Sequence, residues 1–174
     1  MMSFMRLNLN ISITVLRCIS PNIININAVN FSKTVGATSE LFDQNHINEI
    51  NCDISDTSSE KKIPESDYII HAAGYGQPGK FLEDKLKTVA INTTGTMLLL
   101  KKLKENGSFL YLSSSEIYSG HPSSLNTESH IGYTDPSHPR ACYIEGKRSG
   151  ETIINIARGS GIKAASARLA LAYG

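Results

Sequence analysis

From Asp67 onward the sequence switches repeatedly between two hydrophobic periods, and this alternation limits the folds open to the chain more than any other feature. Asp67 to Gly74 (Asp-Tyr-Ile-Ile-His-Ala-Ala-Gly) has an apolar middle that ends in small residues. Such a segment suits a central parallel strand. Ala72, Ala73 and Gly74 leave room for a flat ring across its carboxyl end, which bulkier side chains would block. From Phe81 to Asn106, residues Leu82, Leu86, Val89, Ala90, Thr93, Met97, Leu100 and Leu103 recur at three and four positions. That spacing predicts one long amphipathic helix with Gly107 as its stop. Ser108 to Ser115 predicts the next strand, Cys142 to Arg158 a second helix broken by Gly159 to Gly161, and Ile162 to Ala172 a further strand. The expected class is α/β, a doubly wound parallel sheet whose sites lie at the carboxyl ends of its strands.

The amino-terminal third is harder to read. Leu9 to Cys18 is rich in β-branched and apolar residues and predicts a buried strand ended by Ser20-Pro21-Asn22. Asn22 to Phe42 reads as irregular, with a short helix near Thr38 to Phe42, and Ile47 to Ile54 as a short strand. His121 to Arg140 contains Pro122, Pro136 and Pro139 among polar residues and predicts a loop. A loop of that length inside a compact domain is usually functional, and part of a substrate lid is the expectation.

At 174 residues with 40% hydrophobic content, the chain is one domain with a real core. A formal net charge of +1 and no long basic run give no electrostatic case for nucleic acid or an anionic membrane. No apolar run approaches ~20 residues, so neither a membrane span nor a signal peptide is expected. Three cysteines, Cys18, Cys52 and Cys142, form no paired spacing. Neither a disulfide framework nor a metal site is indicated, and a reducing cytoplasm fits. The expected partners are small molecules and like subunits.

The chemistry concentrates in Ala141 to Glu151. On one helix, Tyr143 and Lys147 project from the same face, four residues apart. A free tyrosine titrates near ~10 and is a poor base at neutral pH, but a neighbouring ammonium favours the phenolate. A Tyr and a Lys at this spacing also occur on many helices without any chemistry. Upstream, Ser113-Ser114-Ser115 delivers hydroxyls at a strand's carboxyl end, immediately before Glu116.

Pro139 to Arg148 (Pro-Arg-Ala-Cys-Tyr-Ile-Glu-Gly-Lys-Arg) resembles the catalytic segment of extended short-chain dehydrogenases/reductases, the NAD-dependent epimerase/dehydratase group. Within them it is most similar to UDP-glucuronate decarboxylases and nucleotide-sugar 4,6-dehydratases. Ser-Ser-Ser-Glu-Ile-Tyr at Ser113 to Tyr118 resembles that family's Ser-Thr-Ser-Glu-Val-Tyr. His71-Ala72-Ala73 resembles its His-Ala-Ala motif, and Asn92-Thr93-Thr94-Gly95-Thr96 its Asn-x-x-Gly-Thr.

The resemblance implies a Rossmann-like fold that binds NAD, with NADP possible, and a reaction through a 4-keto sugar. Tyr143 would be the base, Lys147 would hold the nicotinamide ribose, and Ser114, Ser115 and Glu116 would work at the sugar carbons. Ala72, Ala73, Gly74 and Asn92 would line the cofactor, and Asp53 with Ile54 would clasp the adenine. Asp53 equally reads as a strand-ending cap. Arg17 stands where many NAD enzymes carry an acid, and either meets a 2′-phosphate or is a solvated side chain. His71 reads as a core histidine rather than a ligand. The two helices would pair with their copies in a homodimer through a four-helix bundle, and the substrate would be a nucleotide sugar.

Two departures stand out. The family's first strand and its Gly-x-x-Gly-x-x-Gly turn are missing, the first glycine being Gly36. Leu9 to Cys18 would then be the second strand, without the central neighbour that joins it to Asp67 to Gly74. At the other end the chain stops where the family continues into a substrate domain, and Leu171 replaces a common Asn. The expectation is a truncated Rossmann-like domain over residues 1–174. A non-catalytic fragment, or a dinucleotide-sensing module of the same fold, is the alternative.

Overall fold

The computed structural model describes residues 13–20, 23–30, 47–75 and 78–170. The predicted helix near Thr38 to Phe42, the Gly76-Gln77 loop and Leu171 lie outside them. The described strands are β1 (Ile13–Ser20), β2 (Ile23–Asn30), β3 (Ile47–Asn51), β4 (Ser66–His71), β5 (Leu103–Ser114) and β6 (Lys163–Leu169). The helices are α1 (Pro78–Glu83), α2 (Lys85–Asn92), α3 (Thr94–Leu100) and α4 (Ala141–Gly159), with 3-10 turns at Thr57–Lys62 and Ser115–Tyr118. The strands form one sheet in the order β3-β2-β1-β4-β5-β6. The α/β class is that expected from the sequence, and the order is Rossmann-like, with β1 in the central position that was expected to be vacant.

The pairs β2–β3, β4–β5 and β5–β6 are parallel. β1 runs antiparallel to both neighbours, β2 and β4. Two expectations are corrected here. The segment around Leu9 to Cys18 has not lost its central neighbour, because β1 itself lies beside β4 with Thr14 opposite His71 and Arg17 opposite Tyr68. The stretch from Asn22 is not irregular, because Ile23–Asn30 is a strand paired along its whole length. Only Pro21 and Asn22 separate β1 from β2. So short a connection can join antiparallel strands but not parallel ones, and that fixes the direction of the pair.

The long helix predicted over Phe81 to Asn106 is instead three short ones. Asp84 accepts a hydrogen bond from the Lys87 backbone N–H at 3.0 Å and so caps a new start at α2. Thr93 marks the second break, between α2 and α3. Leu103 to Asn106 fits the helical period but opens β5. Gly107 is therefore no helix stop: a Cβ there would fall 2.7 Å from the Asp67 carbonyl oxygen, where β5 crosses the start of β4. The second helix and the last strand match their expected positions closely.

α4 packs on α2 and on the face of β5 and β6. Tyr111 of β5 is fully buried, and its hydroxyl donates to Asn92 Oδ1 at 2.8 Å. Asn92 Nδ2 in turn donates to the Thr88 carbonyl at 2.8 Å. Helix α4 comes this close because it presents glycine to both groups. A Cβ at Gly150 would lie 2.3 Å from the Tyr111 hydroxyl, and one at Gly146 would lie 3.3 Å from Asn92 Nδ2. The interlocked Tyr111, Asn92 and Gly146–Gly150 contact sets the height of α4 over the sheet, and with it the positions of Tyr143 and Lys147.

Candidate active site

A cleft of about 410 Å³ opens at the carboxyl ends of β4, β5 and β6. Ala72 and Gly74 form its floor, Leu112 to Glu116 one wall, and Tyr143 with Lys147 the other. Of the residues singled out in the sequence, Ser114, Ser115, Glu116, Tyr143, Lys147, Ala72 and Gly74 all line this one cavity. They come from three separate elements. What unites them is that β4 and β5 end side by side and α4 starts above both.

Ser114 ends β5, and its side chain accepts from the Glu116 N–H at 3.2 Å, capping the 3-10 turn that carries Glu116. Burial pushes the Tyr143 phenol above its ordinary value. A hydrogen bond with Ser114 pulls it down, the Glu116 charge pushes it up, and the Arg140 charge pulls it down. The net shift is upward, so the expectation that Lys147 draws this tyrosine toward the phenolate is corrected. Lys147 Nζ stands 5.8 Å from the centroid of the Tyr143 ring. The ammonium is instead anchored from behind, donating to the Leu112 carbonyl at 2.8 Å over the Tyr111 ring. Lys147 is only 5% exposed, and burial lowers its pKa to about 8 against the opposing pull of Glu151.

The Tyr143 ring stacks on Phe81, 4.7 Å between centroids and 18° apart in plane. The Arg140 guanidinium lies over the Phe81 ring, 5.4 Å from its centroid, and pairs with Glu116. Sequence reasoning passed over Arg140 and Tyr75, which also line the cleft. The signal for Arg140 was present: it stands three residues before Tyr143, at the entry of the same helix.

The remaining expected residues are placed elsewhere. Ala73 and Ile54 are buried in the core, Ile54 at 0% exposure against Gly95, so Ile54 presents no free surface to an adenine. Asn92 lies under α4 and holds Tyr111 rather than lining the cleft. Asp53 is ion-paired with Lys87 at 2.7 Å and accepts from Ser55. Burial raises its pKa, but the Lys87 and Ser55 hydrogen bonds outweigh that and leave it below the usual carboxylate range. Arg17 sits at a register position opposite Tyr68, three residues before the cleft end of β4. Its place in β1 is thus away from the carboxyl edge at which a ribose would bind.

His71 is the core histidine expected: fully buried, Nε2 3.2 Å from the Ile91 carbonyl, Nδ1 without a partner, and held neutral with a pKa lowered to about 3 by burial and then by Lys147. Residues 121–140 form neither helix nor strand, as predicted. They are tied down by two arginines. Arg148 of α4 donates to the Ile117 and Ser119 carbonyls, and Arg168 of β6 to the Glu128 carbonyl.

The fit to a dinucleotide divides along the site. The small-residue floor with Lys147 and Tyr143 beside it suits a nicotinamide riboside: a Cβ on Gly74 would come within 3.6 Å of Lys147 Nζ, filling the space between them. At β1 the chain passes through two residues directly into β2, so no helix follows that strand to offer its N-terminus to a pyrophosphate. Among the described residues, no helix is long and apolar enough to cross a membrane, and no group of three metal-ligating side chains occurs.

Solved structures of the same fold include UDP-glucose 4-epimerase from Thermotoga maritima with UDP-glucose, at a TM-score of 0.68 and 20% identity. That match covers 86% of this chain and 48% of the other. A dTDP-glucose 4,6-dehydratase double mutant from Streptomyces venezuelae with NAD bound gives 0.66 at 17% identity, covering 83% and 45%. Among curated proteins, UDP-glucuronic acid decarboxylase 1 of Xenopus tropicalis is 39% identical over 90 residues, 51% of this chain and 21% of the relative. UDP-glucuronic acid decarboxylase 6 of Arabidopsis thaliana is 35% identical over 118 residues, 67% of this chain and 34% of the relative. The chain therefore matches about a fifth to a third of the length of these relatives. The family model described as the NAD dependent epimerase/dehydratase family matches residues 4–174. With its cleft, its strand order and this match over nearly the whole sequence, the chain belongs to the NAD-dependent epimerase/dehydratase family.

Proposed function

We propose that the cleft carries the oxidation of a nucleotide-linked sugar at C4, with UDP-glucuronate decarboxylation as the favoured overall reaction. The observation that carries this reading is the convergence of Ser114, Glu116, Tyr143 and Lys147 on one cavity with a small-residue floor. Lys147, fixed by Leu112, would hold the ribose hydroxyls of NAD, and Ala72 and Gly74 would admit its ring. When bound, the nicotinamide supplies hydride acceptance and return.

Tyr143 would take the proton of the sugar 4-hydroxyl while the hydride leaves the C4 carbon, giving a 4-keto sugar. Ser114, bonded to the same phenol, orients that hydroxyl. The ketone then labilises C5, so that a C6 carboxylate can leave as carbon dioxide, or water can leave where Glu116 moves a proton. The Arg140 cation in the cleft wall suits a uronate, as do the decarboxylase relatives. For Tyr143 to act, its burial cost must be offset when substrate closes the site, and the Ser114 hydrogen bond and Arg140 charge both act in that direction. The exposed Leu86 of α2 and Ile156 of α4, at 85% and 65%, support pairing of these helices with a second copy, which sedimentation would test.

The test is calorimetric titration of NAD+ and NADP+ into the chain, followed by proton NMR of UDP-glucuronate incubated with protein and NAD+. A UDP-pentose that Tyr143→Phe does not form is the expected result. Absence of both binding and turnover would overturn the reading. It would favour a chain that keeps half of a site, the alternative to which the two-residue β1–β2 connection points.

A further inference from the structure

Between Glu116 and Arg140 the chain makes a loop pinched at its base. The side chains at its two ends pair with each other in the cleft wall. Just above them the two backbones touch: a Cβ on Gly120 would run into the Tyr133 carbonyl, and one on Gly132 into that of Ser119. Directly beyond this pinch two histidines meet. His121 and His130 stack, 4.3 Å between centroids and 17° apart in plane, with the Tyr133 ring 6.5 Å from His121 and nearly parallel to it. Each imidazole accepts a backbone hydrogen bond through Nδ1, His121 from the Ser123 N–H at 3.1 Å and His130 from the Thr127 N–H at 3.2 Å. The third histidine of the segment, His138, accepts from the Arg140 N–H at 3.2 Å. A ring nitrogen accepts only while it carries no proton, so all three bonds require a neutral ring. The same loop also holds a version of this turn built on a carboxylate: Asp135 accepts from the Ser137 N–H at 2.7 Å, two residues on, as His121 does from Ser123.

We propose that the His121–His130 stack is an acid-sensitive latch on residues 121–138, which are fully bonded with both rings neutral and loosen when the rings take up protons. Protonation acts twice. It turns each Nδ1 from an acceptor into a donor that faces another N–H. It also sets two cations 4.3 Å apart, where like charges repel. The surrounding groups do not offset this. Tyr133 offers a phenol ring, and the cations Arg148 of α4 and Arg168 of β6 reach the loop at the Thr134 hydroxyl and the Glu128 carbonyl. Glu116 is paired with Arg140, and Glu128, two residues from His130, is exposed, where solvent screens a carboxylate. Asp135 lies within electrostatic reach of His138, which is why the latch is assigned to the stack and not to that residue. Since the ordered loop prefers neutral rings, its order is complete above the pH range in which histidine gains its charge and falls as pH drops through it. With Glu116 and Arg140 at its two ends, loosening of the loop reaches the cleft wall directly. The proposal concerns the order of this segment and holds whichever reaction the cleft carries.

The experiment is exchange of backbone amides with water, followed by NMR in the whole chain at pH 7.5 and pH 5.5. The Ser137 amide is the internal reference, because the Asp135 carboxyl that holds it is kept below its ordinary value by the Ser137 hydrogen bonds and stays ionised at both. Exchange of the Ser123 and Thr127 amides relative to Ser137 is expected to rise about tenfold or more at the lower pH, the factor that each pH unit carries for one coupled proton. In a variant with His121→Asn and His130→Gln, whose amide oxygens can accept from the same N–H groups without titrating, that ratio is expected to stay level. A level ratio in wild type, or an equal rise in the variant, would overturn the proposal. Should the variant not fold, the imidazole 15N shifts of wild type carry the test. At pH 7.5 both Nδ1 atoms are expected to be unprotonated, and a proton on either would overturn the latch.

Discussion

The two sides of the sheet follow different rules. From β4 to β6 every neighbouring pair is parallel, helices cross between the strands, and the catalytic groups collect where the strands end. From β1 to β2 the chain turns back on itself, and the candidate groups of that side, Arg17, Asp53 and Ile54, lie in a strand, in an ion pair and in the core. Together the two sides make a Rossmann-like strand order. The difference teaches that order alone does not make a dinucleotide site: a strand supplies a ligand-facing carboxyl end only when it runs parallel to its neighbours.

This contrast can be broken or sharpened by substitution. The largest effect is expected at Tyr143. Tyr143→Phe should lower the turnover of a nucleotide sugar by about 10²–10⁴-fold, the usual worth of a positioned base. An initial rate within tenfold of wild type would remove the parallel side's claim to the chemistry.

Next comes His71, whose depressed pKa makes the parallel side acid-sensitive. The folded chain keeps this ring neutral while the unfolded chain protonates it below its ordinary value of 6.5, so stability is intact above pH 6.5 and is lost as pH falls toward about 3. The loss is about 1.4 kcal/mol per pH unit. Urea unfolding at pH 6.5 and 4.5, two pH units apart, should show a gap of about 2 kcal/mol for wild type, and a smaller gap in His71→Gln. Equal gaps would mean that the ring is not held neutral.

Gly150→Ala should follow, since its Cβ would meet Tyr111 at 2.3 Å. Overpacking of this kind costs about 1–3 kcal/mol, and thermal unfolding measures it. On the other side, Asp53→Asn removes a half-exposed pair with Lys87 and should cost less than about 1 kcal/mol by the same assay. Smallest of all, Arg17→Ala should leave the preference between NAD+ and NADP+ unchanged in calorimetry. A tenfold change would bring β1 back into the binding site.

The same division decides how much could be read from the sequence. β4, the second half of β5 from Ser108 and α4 were legible because their apolar periods are unbroken and because Ser113 to Tyr118 and Pro139 to Arg148 are specific in combination. The site followed, since strand ends and one helix face bring Ser114, Glu116, Tyr143 and Lys147 together. Ile23–Asn30 was not legible. Its alternation of Ile and Asn has the period of a strand, but asparagine is depleted in strands, and only pairing on both sides satisfies such a segment. The break at Asp84 was hidden because a capping carboxylate is invisible to hydrophobic spacing. Arg168, a lone cation in a short apolar strand, gave no hint of Glu151, which it meets only once α4 packs against β6.

The glycine contact between α4 and Tyr111 has a mechanical meaning. With no side chain between helix and sheet at Gly150, there is no compressible layer in which the helix could slide, so Tyr143, Lys147 and β5 move as one rigid piece. Residues 119–140 are outside that rigid piece, and for this segment to shift over the site the hydrogen bonds of Arg148 and Arg168 to its carbonyls would have to break.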